Sequence, residues 1–176
     1  MFLDRDGTLI EDVGYAGHPE QVRLLDGAVE ALRSLQSEGY LLVVVSNQSG
    51  VGRGLITSEQ AENVHGRVAS LLAENGIQVA ACYYCPHSPE ENCNCRKPAP
   101  GLIVRAARDL NVDLSKSVLV GDKPTDISAG KAAGCRTVLL GRRDESVLQA
   151  LEPDHVAIDW DAAVQLIVGN LRESPC

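Results

Sequence analysis

The sequence predicts an α/β protein built on a doubly wound, mainly parallel sheet, and three observations predict it. Short runs that are apolar at every residue, such as Leu41 to Val45, look like strands covered on both faces. They alternate with stretches whose apolar residues recur every three to four positions, the spacing of a helix with one buried side. Several of these strands run straight into polar clusters, and a parallel sheet places its ligands beyond the carboxyl ends of its strands.

Taken in order, Met1 to Leu3 is a short buried strand. It starts at the first residue, which leaves the natural N-terminus open to a few preceding residues. Leu25, Ala28, Val29, Leu32 and Leu35 keep helical spacing, with Asp26 placed to cap the helix and Gly39 to end it. Leu41 to Val45 is the second strand. Thr57 and Gln60 read as a capping box opening a helix whose apolar face is Ala61, Val64, Val68, Leu71 and Leu72, closed by Gly76. Val79 to Tyr84 is a third strand and leads into a cysteine-rich loop. A helix through Ile103, Ala106, Ala107 and Leu110 follows, then a strand at Val118 to Val120 and a helix from Ile127 to Ala133. Val138 to Leu140 and a last helix on Trp160, Val164, Ile167 and Leu171 complete the chain. No repeat or low-complexity linker interrupts it, so residues 1–176 form one domain.

Composition narrows the function. The 16 basic residues stand against 24 acidic ones, a formal charge of −8, and aromatics make up 3%. Nucleic acid is not an expected partner, because phosphate neutralisation needs clustered Lys and Arg and single strands need stacking platforms. The longest aliphatic run is far short of the roughly 20 residues of a membrane helix, and Asp4 interrupts any apolar leader. The expectation is a soluble, cytoplasmic monomer with no membrane partner. Six cysteines do not make a disulfide scaffold here, because they are unevenly placed and nothing directs export.

Four polar clusters stand where strands end: Asp4-Arg5-Asp6-Gly7-Thr8, Ser46-Asn47-Gln48, Arg96-Lys97-Pro98 and Gly121-Asp122-Lys123. Two carboxylates two residues apart can send one side chain and one backbone carbonyl toward a common cation while the second side chain points past it. With Asp122, they offer the hard oxygen ligands that suit Mg²⁺. An isolated Asp-x-Asp is a common surface pair, and the other clusters give it weight.

Cys85-Pro86-His87 and Cys93-Asn94-Cys95 form a second constellation. Three thiolates and one imidazole make a closed tetrahedral Zn²⁺ set with no position left for water, so this zinc is structural. Arg96 and Lys97 follow directly, and the metal would fix a loop that delivers two cations to the site. Cys82, Cys135 and Cys176 have no matching partners and read as packing thiols or a tail residue. His18, His65 and His155 read as surface or packing residues. Gly50 to Gly54 lacks the G-x-G-x-x-G register and any Gly-Lys-Ser/Thr, so it reads as a flexible phosphate-facing loop and not as a nucleotide motif.

Asp4-Arg5-Asp6-Gly7-Thr8, Ser46-Asn47, Lys97 and Gly121-Asp122-Lys123-x-x-Asp126 together resemble the four motifs of the haloacid dehalogenase-like phosphatases, in the family's order across the whole chain. The resemblance implies a Rossmann-like fold of that family. It implies that Asp4 is a nucleophile forming an aspartyl-phosphate, and that Asp6 protonates the leaving alkoxide and then activates water. Ser46, Asn47 and Lys97 would hold the transferring phosphoryl group, and Asp4, Asp6 and Asp122 would hold catalytic Mg²⁺. Lys123 would pair with this carboxylate cluster, and Asp126 would orient Lys97 or a metal-bound water.

The zinc loop narrows the resemblance to the branch that holds D-glycero-D-manno-heptose 1,7-bisphosphate 7-phosphatases and histidinol-phosphate phosphatases. Asp12-Val13-Gly14-Tyr15 resembles the substrate loop of the heptose enzymes, and Ser46 to Gly54 resembles their Asn-Gln-Ser-Gly-x-x-Arg-Gly stretch. The five residues between His87 and Cys93 are of the histidinol-phosphatase length. Arg53 outweighs loop length, because a guanidinium suits a second phosphate and would repel a cationic amine. The implied substrate is a small phosphorylated sugar, contacted by Arg5, Asp12, Gly14, Tyr15, Asn47, Gln48, Ser49, Arg53 and Arg96. The chain leaves no room for a cap domain, so an open site bounded by residues 12–15, 49–54 and the zinc loop at 85–95 is expected.

Overall fold

A computed structural model of the chain describes residues 1–172; Cys176 lies outside them. The elements follow as β1 (Phe2–Leu3), α1 (Ala28–Ser37), β2 (Leu42–Asn47), α2 (Ser49–Gly52), α3 (Ser58–Glu74), β3 (Val79–Cys85) and α4 (Gly101–Leu110). They continue as β4 (Val118–Gly121), α5 (Pro124–Ala133), β5 (Arg136–Leu140), α6 (Glu145–Leu151), β6 (His155–Ala157) and α7 (Trp160–Arg172). The six strands form one sheet in the order β3-β2-β1-β4-β5-β6, and every neighbouring pair is parallel.

Period-two alternation sorts the strand side chains onto two cores. Leu3, Leu42, Val44, Val120 and Val138 face the side covered by α1, α3 and α7, whose Leu32, Val68 and Trp160 join the same cluster. Phe2, Val43, Val45 and Leu119 face the other side, against Leu102, Ile103 and Ala106 of α4 and Ala129 of α5. Both faces are filled, which is why β2 and β4 read as unbroken apolar runs.

The capping box forms as expected: Gln60 N donates to Thr57 Oγ1 at 3.1 Å and Thr57 N to Gln60 Oε1 at 2.8 Å. Asp26 does not cap α1. Gly27 holds that position at φ 77° with no side-chain bond, a left-handed turn in which glycine carries no Cβ penalty. Leu41 lies outside β2, which instead runs on through Ser46 and Asn47. The helix α6, the strand β6 and the four-residue α2 lie outside the elements the sequence predicts; α6 is short and buries none of its residues, although Val147, Leu148 and Leu151 keep helical spacing.

Strand order reverses between β1 and β4, where a doubly wound sheet opens a crevice at its carboxyl edge. From Asp4 to Gly27 the chain adds only a 3-10 turn at Pro19–Gln21 and two isolated bridges. Among the described residues no helix is long and apolar enough to cross a membrane.

Candidate active site

Asp4 leaves β1 at the reversal point, its amide donating to the Val120 carbonyl of β4 at 3.0 Å. The Arg5 carbonyl then accepts from Leu9 at 2.9 Å and Ile10 at 3.1 Å, folding the chain back on itself at once. Gly7 makes this turn at φ 84°, and a Cβ there would sit 2.5 Å from the Asp122 carboxylate. Glycine is therefore required on two counts, backbone conformation and space. The Asp6–Ile10 bridge uses the Arg5 carbonyl and the Gly7 amide, which leaves the Asp6 carbonyl outside the ladder.

Lys97 reaches the floor of the crevice. Its ammonium lies 2.7 Å from Asp4 Oδ1, 2.5 Å from Asp126 Oδ1 and 2.9 Å from the Val45 carbonyl, with the side chain 2% exposed. Burial alone would lower its pKa, but the Asp4 and Asp126 carboxylates outweigh that and raise it, so Lys97 is a fixed cation. Asp4, Asp122 and Asp126 each bring a carboxylate oxygen within 4.8 Å of the others. One ammonium cannot balance three carboxylates. Burial and the charge of Asp4 push Asp122 up to about 6. The excess negative charge and the all-oxygen donor set fit a hard divalent cation such as Mg²⁺. Asp126 is otherwise engaged, since its Oδ2 accepts the Lys123 amide at 2.9 Å and its Oδ1 takes Lys97. It holds the lysine, leaving Asp4 and Asp122 as the carboxylates of the group more open to a cation.

The Cys85, His87, Cys93 and Cys95 ligand atoms also converge. Sulfur separations of 3.2 to 3.4 Å and approaches of 3.3 and 3.4 Å from His87 Nδ1 to Cys95 and Cys85 describe a closed four-cornered cage. Zn–S bonds of about 2.3 Å call for a tetrahedron of nearly this size, so the residues fit zinc, with Nδ1 as the imidazole ligand.

A cleft of about 550 Å³ lies in front of these centres, lined by Asp6, Asp12, Gly14, Tyr15, Asn47, Gln48, Ser49, Arg96 and Lys123, with Pro124 and Thr125. Most of the residues read as substrate contacts therefore share one opening, and three depart from expectation. Arg5 is fully buried and turns inward, where its Nε and Nη2 bond Asp6 Oδ1 at 3.1 and 2.9 Å. It is not a substrate contact. The Asn47 carboxamide, though in the cleft lining, has both ends on the Lys97 backbone, donating to its carbonyl and accepting from its amide at 3.0 Å each, so these bonds hold the loop. Arg53 lies outside the cleft lining, 3.7 Å from Glu90 of the zinc loop.

Lys123 also differs from expectation, pairing with Asp12 at 2.8 Å across the cleft mouth. Burial opposes the shift, but the Lys123 ammonium and the Gly14 amide hold the Asp12 carboxyl below the usual range. Gln48 Nε2 bridges Ser46 Oγ at 2.7 Å and Asp6 Oδ2 at 2.8 Å. Arg143 has no place in the sequence reading, and His65, read as a surface or packing residue, proves to be buried packing next to the site. Arg143 reaches the Asp122 carbonyl. His65 contacts Arg5, and its signal was a polar residue amid Ala61, Val68 and Leu72 on the buried face of α3.

The comparisons with known proteins agree with this geometry. A family model described as HAD-hydrolase-like matches residues 94–163. The D-glycero-beta-D-manno-heptose-1,7-bisphosphate 7-phosphatase of Pasteurella multocida is 40% identical over 155 residues, covering 85% of this chain and 84% of that protein. The protein of the same name from Yersinia pestis is 39% identical over 167 residues, 91% of this chain and 87% of its own. Among solved structures, D,D-heptose 1,7-bisphosphate phosphatase from B. bronchiseptica, complexed with magnesium and phosphate, superposes with a TM-score of 0.85 at 32% identity. That match covers 99% of this chain and 98% of the other.

Proposed function

This chain belongs to the haloacid dehalogenase-like phosphatases, within them to the heptose bisphosphate phosphatases, and from that premise we propose that it removes the 7-phosphate of D-glycero-D-manno-heptose 1,7-bisphosphate. The observation that carries the reading is the buried Lys97 ammonium at 2.7 Å from Asp4, at the reversal point of the sheet and beside Asp122. A carboxylate is a weak nucleophile toward a phosphate dianion, and fixed positive charge at its side removes much of that repulsion.

Asp4 attacks phosphorus through the oxygen that Lys97 does not hold. A P–O bond to Asp4 forms as the bond to the sugar oxygen breaks, and Asp6 gives its proton to the departing alkoxide. Asp6 then takes a proton from water, whose oxygen attacks the aspartyl-phosphate, releasing phosphate and restoring Asp4. Ser46 and Lys97 bond the equatorial oxygens as charge gathers on them. Held by Asp4, Asp122 and the Asp6 carbonyl, Mg²⁺ would supply further charge neutralisation at the phosphoryl group.

The relatives are named for a bisphosphate, and the cleft suits one. Arg96 lines it and, among the described residues, has no carboxylate within 4.0 Å, so it is the cation available for a second phosphate; Arg53, already near Glu90, is less so. Histidinol phosphate would bring an amine toward Arg96. The deciding experiment offers both substrates side by side with Mg²⁺. One equivalent of phosphate from the bisphosphate, with the 1-phosphate retained and Asp4→Asn inactive, is expected. A preference for histidinol phosphate would overturn the substrate, and no Mg²⁺-dependent release from any sugar phosphate would make the chain a zinc-stabilised binding module.

A further inference from the structure

Arg5 carries a full charge at 0% exposure, and a buried guanidinium with unpaired donors would cost several kcal/mol. Its partners account for it. Nε and Nη2 both donate to Asp6 Oδ1, and Nη1 lies against the His65 ring, 3.2 Å from Nδ1 and 3.5 Å from Nε2. His65 Nδ1 also lies 2.7 Å from the Ala61 carbonyl, which can only accept. That assigns the proton to Nδ1, so the 3.2 Å approach of Nη1 to Nδ1 is a packing contact, and the acceptor left for Arg5 is Nε2 at 3.5 Å, the outer reach of a hydrogen bond. Burial and the Arg5 charge lower the His65 pKa to about 4, so the ring is neutral and able to accept. Tyr84 of β3 stacks on the ring at 5.0 Å between centroids and fixes its other side.

The effect at Asp6 is asymmetric. Oδ1 takes two charge-assisted bonds from Arg5, which fill its lone pairs, whereas Oδ2 takes one bond, from Gln48 Nε2 at 2.8 Å. One lone pair remains, and it is on Oδ2.

We propose that Arg5 and His65 are positioning residues for proton transfer: His65 seats Arg5, Arg5 locks Asp6 Oδ1, and the exchanged proton is carried on Asp6 Oδ2. The proposal rests on the reading of Asp6 as the general acid and base. It assigns a task to a buried imidazole outside the cleft and gives Arg5 a role that needs no substrate contact.

The test separates leaving groups. A sugar alkoxide needs a proton to depart and 2,4-dinitrophenolate does not, so rates on the heptose bisphosphate and burst rates of dinitrophenol release from 2,4-dinitrophenyl phosphate are compared for Arg5→Lys, His65→Leu and His65→Gln. Arg5→Lys keeps the charge and loses the fork, and His65→Leu removes the seat. Both should lower kcat on the sugar phosphate about tenfold or more, with KM within about twofold and the dinitrophenol burst near the parent's. His65→Gln, which retains one donor and one acceptor, should recover most of the loss. Equal losses on both substrates, or no loss on either, would overturn the proposal. If His65→Leu does not fold, Arg5→Lys and His65→Gln carry the same comparison. Asp6→Asn runs in parallel: if it too treats both leaving groups alike, the acid and base reading of Asp6 falls. If it discriminates while the Arg5 and His65 variants do not, the positioning proposal falls alone.

Discussion

Replacing Lys97 by Met removes the ammonium and keeps most of the side chain's length. The lost contacts are the 2.7 Å and 2.5 Å pairs to Asp4 and Asp126 and the 2.9 Å bond to the Val45 carbonyl. Without magnesium, the folded variant would hold the buried Asp4 and Asp126 carboxylates beside the half-buried Asp122 with no ammonium at their centre, the nearest cation being Arg143 at 3.9 Å from Asp122, and it relieves this by binding a proton. At pH 7 that means protonating a group whose ordinary pKa is about 3.9, at roughly 1.4 kcal/mol per pH unit, or about 4 kcal/mol. Breaking a buried ion pair is expected to cost about 3–5 kcal/mol, so the two routes agree. The sign follows from the raised folded pKa: the group's stability contribution is present at low pH and lost as pH rises. The deficit relative to wild type should therefore shrink to about 1.5 kcal/mol at pH 5. Magnesium should act in the opposite sense, stabilising the variant more than the parent, since the formal charge among Asp4, Asp122, Asp126 and residue 97 falls from −2 to −3. Urea denaturation at pH 5 and pH 7, in magnesium-free buffer that retains zinc and again with saturating magnesium, measures all of this. An equal deficit at both pH values, or a smaller magnesium effect in Lys97→Met, would refute the reasoning. Activity should fall at least about 10²-fold.

Asp122 sits near pKa 6 in the metal-free protein, above its unfolded value, so its contribution is present below about pH 4 and lost between about 4 and 6. Asp122→Asn should raise metal-free stability at pH 7 by about 1–2 kcal/mol after allowance for its partial exposure, and weaken the magnesium response; a denaturation series from pH 4 to 8 checks both. Removing zinc with a strong chelator should lower the melting temperature and abolish activity, and zinc with magnesium should restore it where magnesium alone does not. Elemental analysis showing no zinc in active protein would contradict this. Asn47→Ala should cut kcat about 10- to 100-fold with KM changed little, because the lost bonds hold Lys97 and touch no substrate; steady-state kinetics on the heptose bisphosphate would show a KM effect instead if Asn47 binds substrate.

The catalytic centre was legible because three of the clusters follow apolar strands and the fourth, at Arg96-Lys97-Pro98, follows the cysteine loop that leaves β3, and strand ends in a parallel sheet share one edge. Most of the groups that line the cleft were legible too, whereas the partners that hold Arg5, Asn47 and Arg53 were not. Arg5 alternates with Asp4 and Asp6, which turns it to the opposite face from them, and only three-dimensional packing brings His65 beneath it. Asn47 and Lys97 are 50 residues apart, so the bond between the Asn47 carboxamide and the Lys97 backbone leaves no local trace. The zinc ligands were plain from spacing, whereas α6 is a seven-residue helix whose few apolar positions, Val147, Leu148 and Leu151, make too short a stripe to stand out.

The zinc cage answers a problem of position. Lys97 must be fixed at the centre of the site, but its loop leaves β3, an edge strand with a neighbour on one side only. Between Pro86 and Lys97 only Ser88 and Lys97 are buried, and neither is apolar. Beyond the partly buried Cys93 and Cys95, the segment therefore has little hydrophobic burial to offset an ordering entropy of about 1–2 kcal/mol per residue. A structural zinc, at about 10–16 kcal/mol of apparent binding free energy, is of the size needed. Its reach extends further than the lysine. Gln48 N donates to the Cys85 carbonyl at 2.7 Å and Gly52 N to the Pro86 carbonyl at 2.8 Å, so α2 and the side chain that bonds Asp6 Oδ2 are anchored on the same loop. Zinc thus sets the position of the cation beside Asp4 and of one of the two residues that orient Asp6, which is why its loss should abolish turnover and not merely lower stability.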